Sequence, residues 1–233
     1  MIIAPEDFLE SDQNHQGTQS LSQKAYQKIR RKIISLDLRP GSIVDENQLM
    51  EELGFGRTPI REALQRLSLE KLVSIVPRRG IFVTDISITD LQRLFEVRLE
   101  LESLAARLAA KRGTPEHWQR MAAALDRMPG DDQPLDNQAL IIVDEFCHQI
   151  IYAAADNKFL ADAATTLYAL SLRLWYFFLN RIGDMRGAII EHRIILEALQ
   201  NRDAERAGML LEKHIRTFQE EIQTAMLGGP EQA

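Results

Sequence analysis

Apolar residues recur at helical spacing along most of the chain and at strand spacing in one short region. Between Leu21 and Leu36 they fall three or four positions apart, which predicts a first helix that ends before the turn "DLRPG". The next stretch, "SIVDENQLMEELGFG", predicts a short extended piece and a second helix. Asp45 is the expected N-cap of that helix, and Gly54 is the expected residue at its C-terminal end.

A third helix is predicted for "GRTPIREALQRLSLEKL". Its apolar residues form one stripe at i, i+3, i+4 and i+7, namely Ile60, Ala63, Leu64 and Leu67. Pro59 fits the first turn, where a missing N–H has no partner within the helix in any case. Either Gly56 or Thr58 is expected to cap the helix.

The polar face of this third helix carries Arg57, Arg61 and Gln65 at intervals of four residues. Arginines gain nothing from the positive N-terminal end of a helix dipole, so a polyanion outside the helix would explain them. The alternative is an ordinary solvated face. The surroundings of the helix favour the polyanion, because a second group of cations follows.

Two β-branched runs, "LVSIV" and "IFVT", flank the tight stretch "PRRG" and predict a β-hairpin. Its tip carries Arg78, Arg79 and Gly80. Glycine allows a backbone to approach phosphate closely, and arginines neutralise phosphate charge. Three helices followed by a hairpin predict a winged helix-turn-helix. In this fold the second helix of the helix-turn-helix pair, here the third predicted helix, enters the major groove of DNA.

The rest of the chain predicts six further helices. Their breaks are short, at Gly113, Pro129-Gly130, Asn157, Gly183 and Asn201. Ser87 or Thr89 is expected to cap the first of them, and Thr114-Pro115 is expected to open the second. Short connections favour antiparallel neighbours, so the fold class is mainly α, with a C-terminal antiparallel all-α bundle. The predicted organisation is an arm (1–19), a winged helix-turn-helix domain (20–86), a helical domain (87–227) and a tail (228–233).

Three histidines and one aspartate interrupt apolar stripes of the bundle helices. The stripes read Ile141, Asp144, His148, Ile151, Ala155; then Ala188, His192, Ile195, Leu199; then Ala207, Leu211, His214, Phe218. Buried imidazoles and carboxylates are unfavourable unless they are paired or coordinated, and residues of three neighbouring helices can converge on one point. A divalent metal would satisfy all four groups. Zn²⁺ is the first choice, and Ni, Mn and Fe are also compatible. The alternative is that each histidine is hydrogen-bonded to a neighbour, which a single histidine would favour but three with a matching Asp144 do not.

Arg98 lies among leucines and alanines in "LFEVRLELESLAARLAA". It has two interpretations. It pairs with Glu102 one turn further on, or it reaches into the bundle and binds the carboxylate of a ligand.

Composition and charge place the chain among ordinary globular proteins. The net charge of −6 is uneven: residues 20–86 carry 12 basic and 8 acidic side chains, a net of +4, which suits a DNA-binding module on an acidic one. Cys147 is the single cysteine, which excludes an internal disulfide framework and suits a reducing compartment. With no long apolar run and no signal-like start, the expected location is cytoplasmic, without a membrane span.

At this point the sequence resembles the GntR family of bacterial transcription regulators, FadR subfamily, with an FCD effector domain. The resemblance rests on "GRTPIREALQRLSLEKLVSIVPRRGIFV", "VRLELESLAARLAA", "DEFCHQII", "EHRIILEAL" and "KHI", and it spans roughly residues 20–225. It implies that Arg57, Thr58 and Arg61 contact DNA, with Gly80 at the wing. It also implies a homodimer on two half-sites, and a divalent metal on the Asp/His set with a small carboxylate.

The sequence departs from the family pattern in three places. Gly56 stands where the family usually has Ser or Thr, and Asn47 stands where some members have arginine. In the D-x-x-F-H motif Phe146 comes one place early, so that Cys147 precedes the histidine.

The resulting hypothesis is a ligand-responsive DNA-binding transcription regulator, a repressor, that binds operator DNA as a homodimer and is not an enzyme. Its helical domain binds a divalent metal and a small organic acid, with Arg98 as the candidate effector contact. Two alternatives stay open. One is a metal sensor in which the ion is the signal, and the other is a metal-dependent enzyme with a DNA-binding appendage.

Overall fold

The computed structural model describes residues 20–87, 89–126, 137–182 and 185–227. The predicted arm (1–19) and tail (228–233) lie outside these residues, as do the breaks predicted at Pro129-Gly130 and Gly183. The chain forms two compact units. The smaller contains the described residues up to Thr89 together with Ala169–Phe177, and the larger contains the other described residues.

The smaller unit is a winged helix-turn-helix. It contains helices α1 (Leu21–Ile34), α2 (Glu46–Leu53) and α3 (Arg57–Leu69) and strands β1 (Val73–Val76) and β2 (Gly80–Val83). The strands pair antiparallel, with Val73 opposite Val83 and Val76 opposite Gly80. The apolar stripes of all three helices meet in one core, which includes Ile29, Leu49 and Leu64. The predicted fold class is confirmed here.

The start and end signals of α2 and α3 act as their residue types predict. Asp45 caps α2 by accepting hydrogen bonds from the backbone N–H groups of Asn47 and Gln48, and Gly54 ends it in the left-handed conformation at φ 70°. Gly56, not Thr58, is the N-cap of α3, and it makes no capping hydrogen bond because glycine has no side chain. The turn between α2 and α3 therefore runs from a left-handed Gly54 to an extended Gly56.

The larger unit is an all-α bundle. Its helices are α4 (Leu91–Arg112), α5 (Pro115–Asp126), α6 (Asn137–Ala154), α7 (Lys158–Phe178), α8 (Arg186–Gln200) and α9 (Ala204–Leu227), with Ala169–Phe177 of α7 belonging to the smaller unit. Helix α4 packs along α9, where the rings of Phe95 and Phe218 meet edge to face at 5.3 Å. Among the described residues, no helix is both long and apolar enough to cross a lipid bilayer.

The predicted cap of α4 was wrong. The helix begins at Leu91 after Asp90, and not after Ser87 or Thr89. The hydroxyl groups of Ser87 and Thr89 lie 3.0 Å apart and bond to each other. The Asp90 carboxylate accepts from Arg93 at 3.0 Å and makes no capping bond to the backbone. The two hydroxyl groups and the carboxylate therefore bond to other side chains, and none of them caps the helix.

Gly113, between α4 and α5, is expected to be intolerant of a side chain. A Cβ at this position would lie 2.1 Å from the ring of Trp118 and 2.7 Å from the carbonyl oxygen of Ala109. Gly113→Ala should therefore lower the free energy of unfolding by about 1–3 kcal/mol, the usual effect of overpacking. Urea denaturation would measure this. The matched control is Gly187→Ala in α8, where a Cβ meets nothing within 4 Å and the change should be neutral or slightly stabilising. Equal effects of the two substitutions would contradict the packing argument.

Candidate metal centre and nucleic-acid interface

Asp144 and His148 on α6, His192 on α8 and His214 on α9 come together inside the larger unit. One potential ligand atom from each lies within 4.8 Å of the others, and all four residues are buried. The helix periodicity explains the convergence, because each residue occupies a core position of its helix. The structure therefore places the four predicted ligands around one point.

Asp144 is at the centre of the cluster. Its Oδ1 atom lies 3.2 Å from Nε2 of His214 and 3.5 Å from Nδ1 of His192. Its Oδ2 atom accepts a hydrogen bond from the Tyr168 hydroxyl at 2.7 Å. Burial alone would raise the pKa of Asp144, but the three surrounding histidines outweigh it and hold the pKa of this carboxyl well below its ordinary value. Asp144 is therefore an anion, with one oxygen engaged by a tyrosine.

Each histidine ring is anchored through Nδ1. The partner of His148 is the Glu102 carboxylate at 2.7 Å, and the partner of His214 is the Glu191 carboxylate at 2.8 Å. His192 has the backbone carbonyl of Ala188 at 3.0 Å. This is the arrangement of metal-binding histidines, whose second nitrogen is held by a carboxylate or carbonyl so that the first is presented to the ion.

Two buried atoms of the cluster make no hydrogen bond within the part of the chain that the structure describes. They are Nε2 of His192 and Oδ1 of Asp144. Buried polar atoms are normally satisfied, and an unsatisfied one needs an explanation such as an ion. Three imidazole nitrogens and one carboxylate oxygen form a donor set that suits a first-row divalent metal.

The histidines differ in their protonation. Burial, and next the neighbouring His214, lower the pKa of His192 to about 3. Burial also opposes protonation of His214, but the neighbouring carboxylates of Asp144 and Glu191, 3.2 and 2.8 Å from its ring nitrogens, outweigh it and raise the pKa of His214 to about 9. Without metal, His192 is therefore neutral at pH 7 and His214 is an imidazolium.

Arg98 makes the ion pair that was one of its two predicted interpretations. Its Nε donates to Glu102 Oε1 at 2.5 Å, and both side chains are buried. The guanidinium carbon lies 5.1 Å from the ring centre of Tyr168. Burial raises the pKa of Glu102, but Arg98 and His148 outweigh it and lower this pKa to about 2. Contact of Arg98 with an effector stays a prediction.

Sequence reasoning missed four residues around the cluster: Glu102 as the partner of His148, Tyr152, Tyr168 and Glu191. Tyr152 follows His148 by four positions, so helix periodicity alone places the two on one face. Glu191 is next to His192 in sequence but serves His214, and no sequence signal predicts that.

The predicted DNA-contacting residues all belong to the smaller unit, and all are exposed. They are Arg57, Thr58, Arg61 and Gln65 on α3 and Arg78, Arg79 and Gly80 at the hairpin tip. Arg61 Nε donates to Glu46 of α2 at 2.7 Å, a pair that the sequence pattern did not predict. Arg78 has φ 64° and Gly80 has φ 113°. A left-handed arginine is unusual, and it places a cation at the tip of the wing.

Comparisons with known proteins identify the family. Residues 21–83 match the family described as "Bacterial regulatory proteins, gntR family", and residues 93–217 match the FCD domain. The chain belongs to the GntR family of bacterial regulators with an FCD domain, as its resemblance implied. It is a DNA-binding transcription regulator.

Named relatives agree with this class. The chain is 26% identical over 207 residues to the HTH-type transcriptional repressor RspR of Escherichia coli, covering 88% of this chain and 90% of the relative. It is also 26% identical over 215 residues to the HTH-type transcriptional repressor GlaR of E. coli, covering 88% and 96%. The solved structure of E. coli McbR/YncC has the same fold, with a TM-score of 0.79 at 22% identity, over 90% of this chain and 100% of that one.

Arg61→Ala is expected to weaken binding to DNA and to lower the slope of log affinity against log salt by about one per protomer, because one phosphate contact is lost. Fluorescence anisotropy across a salt series would measure this. The matched control is Arg216→Ala in the other unit, since that arginine is 55% exposed against 58% for Arg61 and also pairs with a glutamate at 2.7 Å. A salt slope equal to that of the unmodified protein would exclude a phosphate contact by Arg61.

Proposed function

We propose that this protein is a repressor that responds to a divalent metal and a small organic acid. The winged helix-turn-helix binds operator DNA through α3 and the wing, as a homodimer on two half-sites. The FCD domain holds the metal and the acid. The observation that carries this proposal is the buried cluster of Asp144, His148, His192 and His214, whose histidine rings are all anchored through Nδ1.

The donor set supports a metal that keeps open coordination positions. Three Nε2 atoms and one Asp144 oxygen give four protein ligands, and Tyr168 engages the second oxygen of Asp144. An octahedral ion bound in this way would retain two positions. When bound, the metal supplies a Lewis acid that a carboxylate can join. Zn is our first choice, and Ni, Mn and Fe are the alternatives.

Arg98 is the proposed second contact of the acid. Its Nε donates to Glu102, and the planar guanidinium is the group that would bind the carboxylate of the acid. Glu102, the partner of Arg98, also lies 2.7 Å from Nδ1 of His148. Arg98 is therefore separated from a proposed metal ligand by a single side chain. An effector held between metal and arginine would shift the equilibrium between two arrangements of the bundle. It can change DNA binding only if its affinities for the two arrangements differ.

Relatives support the direction of regulation. RspR and GlaR are described as transcriptional repressors, and we extend that role to this chain. The competing function is a metal sensor, which the completeness of the protein ligand set favours, because four protein groups bind the ion without help from an effector.

The decisive experiment measures affinity for a duplex that the protein itself selects from a random library. Titrations would compare metal-free protein, protein with Zn²⁺ alone, and Zn²⁺ protein with single acids from a panel of two- to six-carbon mono-, di- and tricarboxylates. We expect at least one acid to change DNA affinity only when metal is present. A response to Zn²⁺ alone, unaltered by every acid, would establish the metal sensor. Release of product from an acid would instead establish an enzyme.

Metal binding at pH 7 is expected to release about one proton per ion. His214 is an imidazolium in the metal-free protein because its pKa is about 9, and it must lose that proton to bind a metal. The apparent metal affinity should therefore rise with pH until about pH 9 and then level off. Calorimetry in buffers of different ionisation enthalpy counts the protons. No proton release at pH 7 would contradict the displacement of a proton from His214 by the metal.

A further inference from the structure

We propose that Glu102, held by Arg98 and Tyr152, is the positioning residue that makes His148 a metal ligand. This inference rests on the proposed function, because it assumes a metal at the cluster. It assigns a role to a carboxylate on α4, a helix that supplies none of the four ligands. Glu102 would act through His148 and would not touch the ion.

Both oxygens of Glu102 are engaged in the protein interior. Oε1 accepts from Arg98 Nε at 2.5 Å. Oε2 accepts from the Tyr152 hydroxyl at 2.5 Å and lies 2.7 Å from Nδ1 of His148. The side chain is fully buried, so no water competes for these contacts. The hydrogen bonds from the arginine and the tyrosine hold the carboxylate in one orientation relative to the histidine ring.

The position of the histidine proton follows from donor and acceptor roles. An ionised carboxylate only accepts hydrogen bonds, so the short contact to Glu102 requires a hydrogen on Nδ1 of His148. Tyr152 does not compete for Nδ1, because its hydroxyl is 2.5 Å from Glu102 and 3.4 Å from the imidazole nitrogen. A histidine must be neutral to bind a metal, and a neutral imidazole has one N–H, so in that form Nε2 carries the lone pair. That nitrogen faces Asp144, at 3.8 Å from Oδ2, on the inner side of the cluster.

The arrangement has a consequence for metal affinity. A carboxylate behind a ligating histidine fixes the ring and raises the basicity of the ligating nitrogen. His192, by contrast, has only the carbonyl of Ala188 behind it. If Glu102 served only as the counter-ion of Arg98, which lies one turn earlier on the same helix, its loss would not change which nitrogen of His148 carries the proton. The tautomer of His148 therefore separates the two roles.

The first experiment reads the proton of His148 in the metal-free protein. Long-range proton–nitrogen NMR of ¹⁵N-histidine protein distinguishes Nδ1–H from Nε2–H, and the His148→Gln variant assigns the signals. We expect the Nδ1–H form in the unmodified protein. Glu102→Gln removes the fixed acceptor and places an amide donor within reach, so the population of the Nε2–H form should rise. A majority of the Nε2–H form in unmodified protein would overturn the inference.

The second experiment measures affinity for Zn²⁺ and Co²⁺ by competition with a chromophoric chelator, and it records the Co²⁺ absorption spectrum. Glu102→Gln should weaken binding by about 10–100-fold, the usual effect of losing such a partner. Because that substitution leaves Arg98 buried without its carboxylate, Tyr152→Phe is the milder variant. It removes one hydrogen bond from Glu102 and should weaken binding by up to about tenfold, with a shifted Co²⁺ band.

The control is Tyr26→Phe in the smaller unit. The Tyr26 hydroxyl also donates to a glutamate, Glu70, at 2.9 Å, so the same chemistry is removed far from the ligands in sequence and outside their unit. Its metal affinity should be unchanged. If Tyr152→Phe and Glu102→Gln are folded and also bind as the unmodified protein does, Glu102 has no positioning role. If the unmodified protein binds no metal, the proposed function fails, while the NMR result still decides the tautomer.

Discussion

Replacing His192 by alanine is expected to weaken metal binding by more than about 100-fold, which exceeds the usual effect of losing an outer partner of a ligand. His192 offers a buried Nε2 atom that has no hydrogen-bond partner among the described residues, so its loss removes a donor that nothing nearby replaces. Metal content after dialysis, together with chelator competition, would measure the change. Circular dichroism of the metal-free variant should show an intact bundle, because the substitution removes a neutral, low-pKa imidazole and no ion pair is broken.

The matched control is His117→Ala. His117 lies near the start of α5, where its Nδ1 is 2.9 Å from the Thr114 hydroxyl. It does not interrupt an apolar stripe in the sequence, so it is not among the predicted ligands. Its loss should leave metal content unchanged. Full metal occupancy in the His192→Ala protein would refute the assignment of the cluster.

Arg98→Met is expected to destabilise the metal-free protein by about 3–5 kcal/mol. The substitution leaves the buried Glu102 carboxylate without its cation, and an unpaired buried charge is strongly unfavourable. The double variant Arg98→Met/Glu102→Gln should recover most of the loss, since a neutral amide no longer needs the guanidinium. Urea denaturation of the unmodified protein, the two single variants and the double variant gives the coupling energy of the pair.

An exposed pair provides the comparison. Arg216 and Glu212 on α9 are 2.7 Å apart at the surface, and Arg216→Met should lower the free energy of unfolding by no more than about 1 kcal/mol. If Arg98→Met is equally mild, Arg98 is not a structural counter-ion. The folded double variant also tests the effector role: at saturating Zn²⁺, undiminished affinity for an active carboxylate would remove Arg98 from the effector site.

The elements of the fold follow from local signals in the sequence. The apolar stripe of α3, the Asp45 cap and the glycine at position 54 define helix ends that the structure reproduces. The hairpin follows from two β-branched runs around a turn, and its register pairs Val73 with Val83. Local signals failed at the start of α4. There the hydroxyl groups of Ser87 and Thr89 bond to each other. Several polar partners lie at similar spacing, and the sequence does not indicate which of them a hydroxyl will bond.

The convergence of Asp144, His148, His192 and His214 was predictable for a similar reason. A histidine in an apolar stripe is visible in the sequence, because helix periodicity assigns each position to a face, and three such stripes with one aspartate indicated a shared centre. The exposed cations of α3 and the wing were equally visible. Their exposure needs no tertiary contact.

The partners of these four side chains were decided by tertiary structure alone. Glu102 and Tyr168 reach the cluster from α4 and α7, and Glu191 serves the histidine of another helix. The Arg61–Glu46 pair likewise joins residues of two different helices, which lie 15 positions apart in the sequence. Periodicity assigns a residue to a face of its own helix, but the rotation and height at which two helices pack determine which side chains meet. Those quantities depend on the packing of the whole core. The sequence therefore determined which side chains could bind a metal, and the fold determined which neighbours orient those side chains.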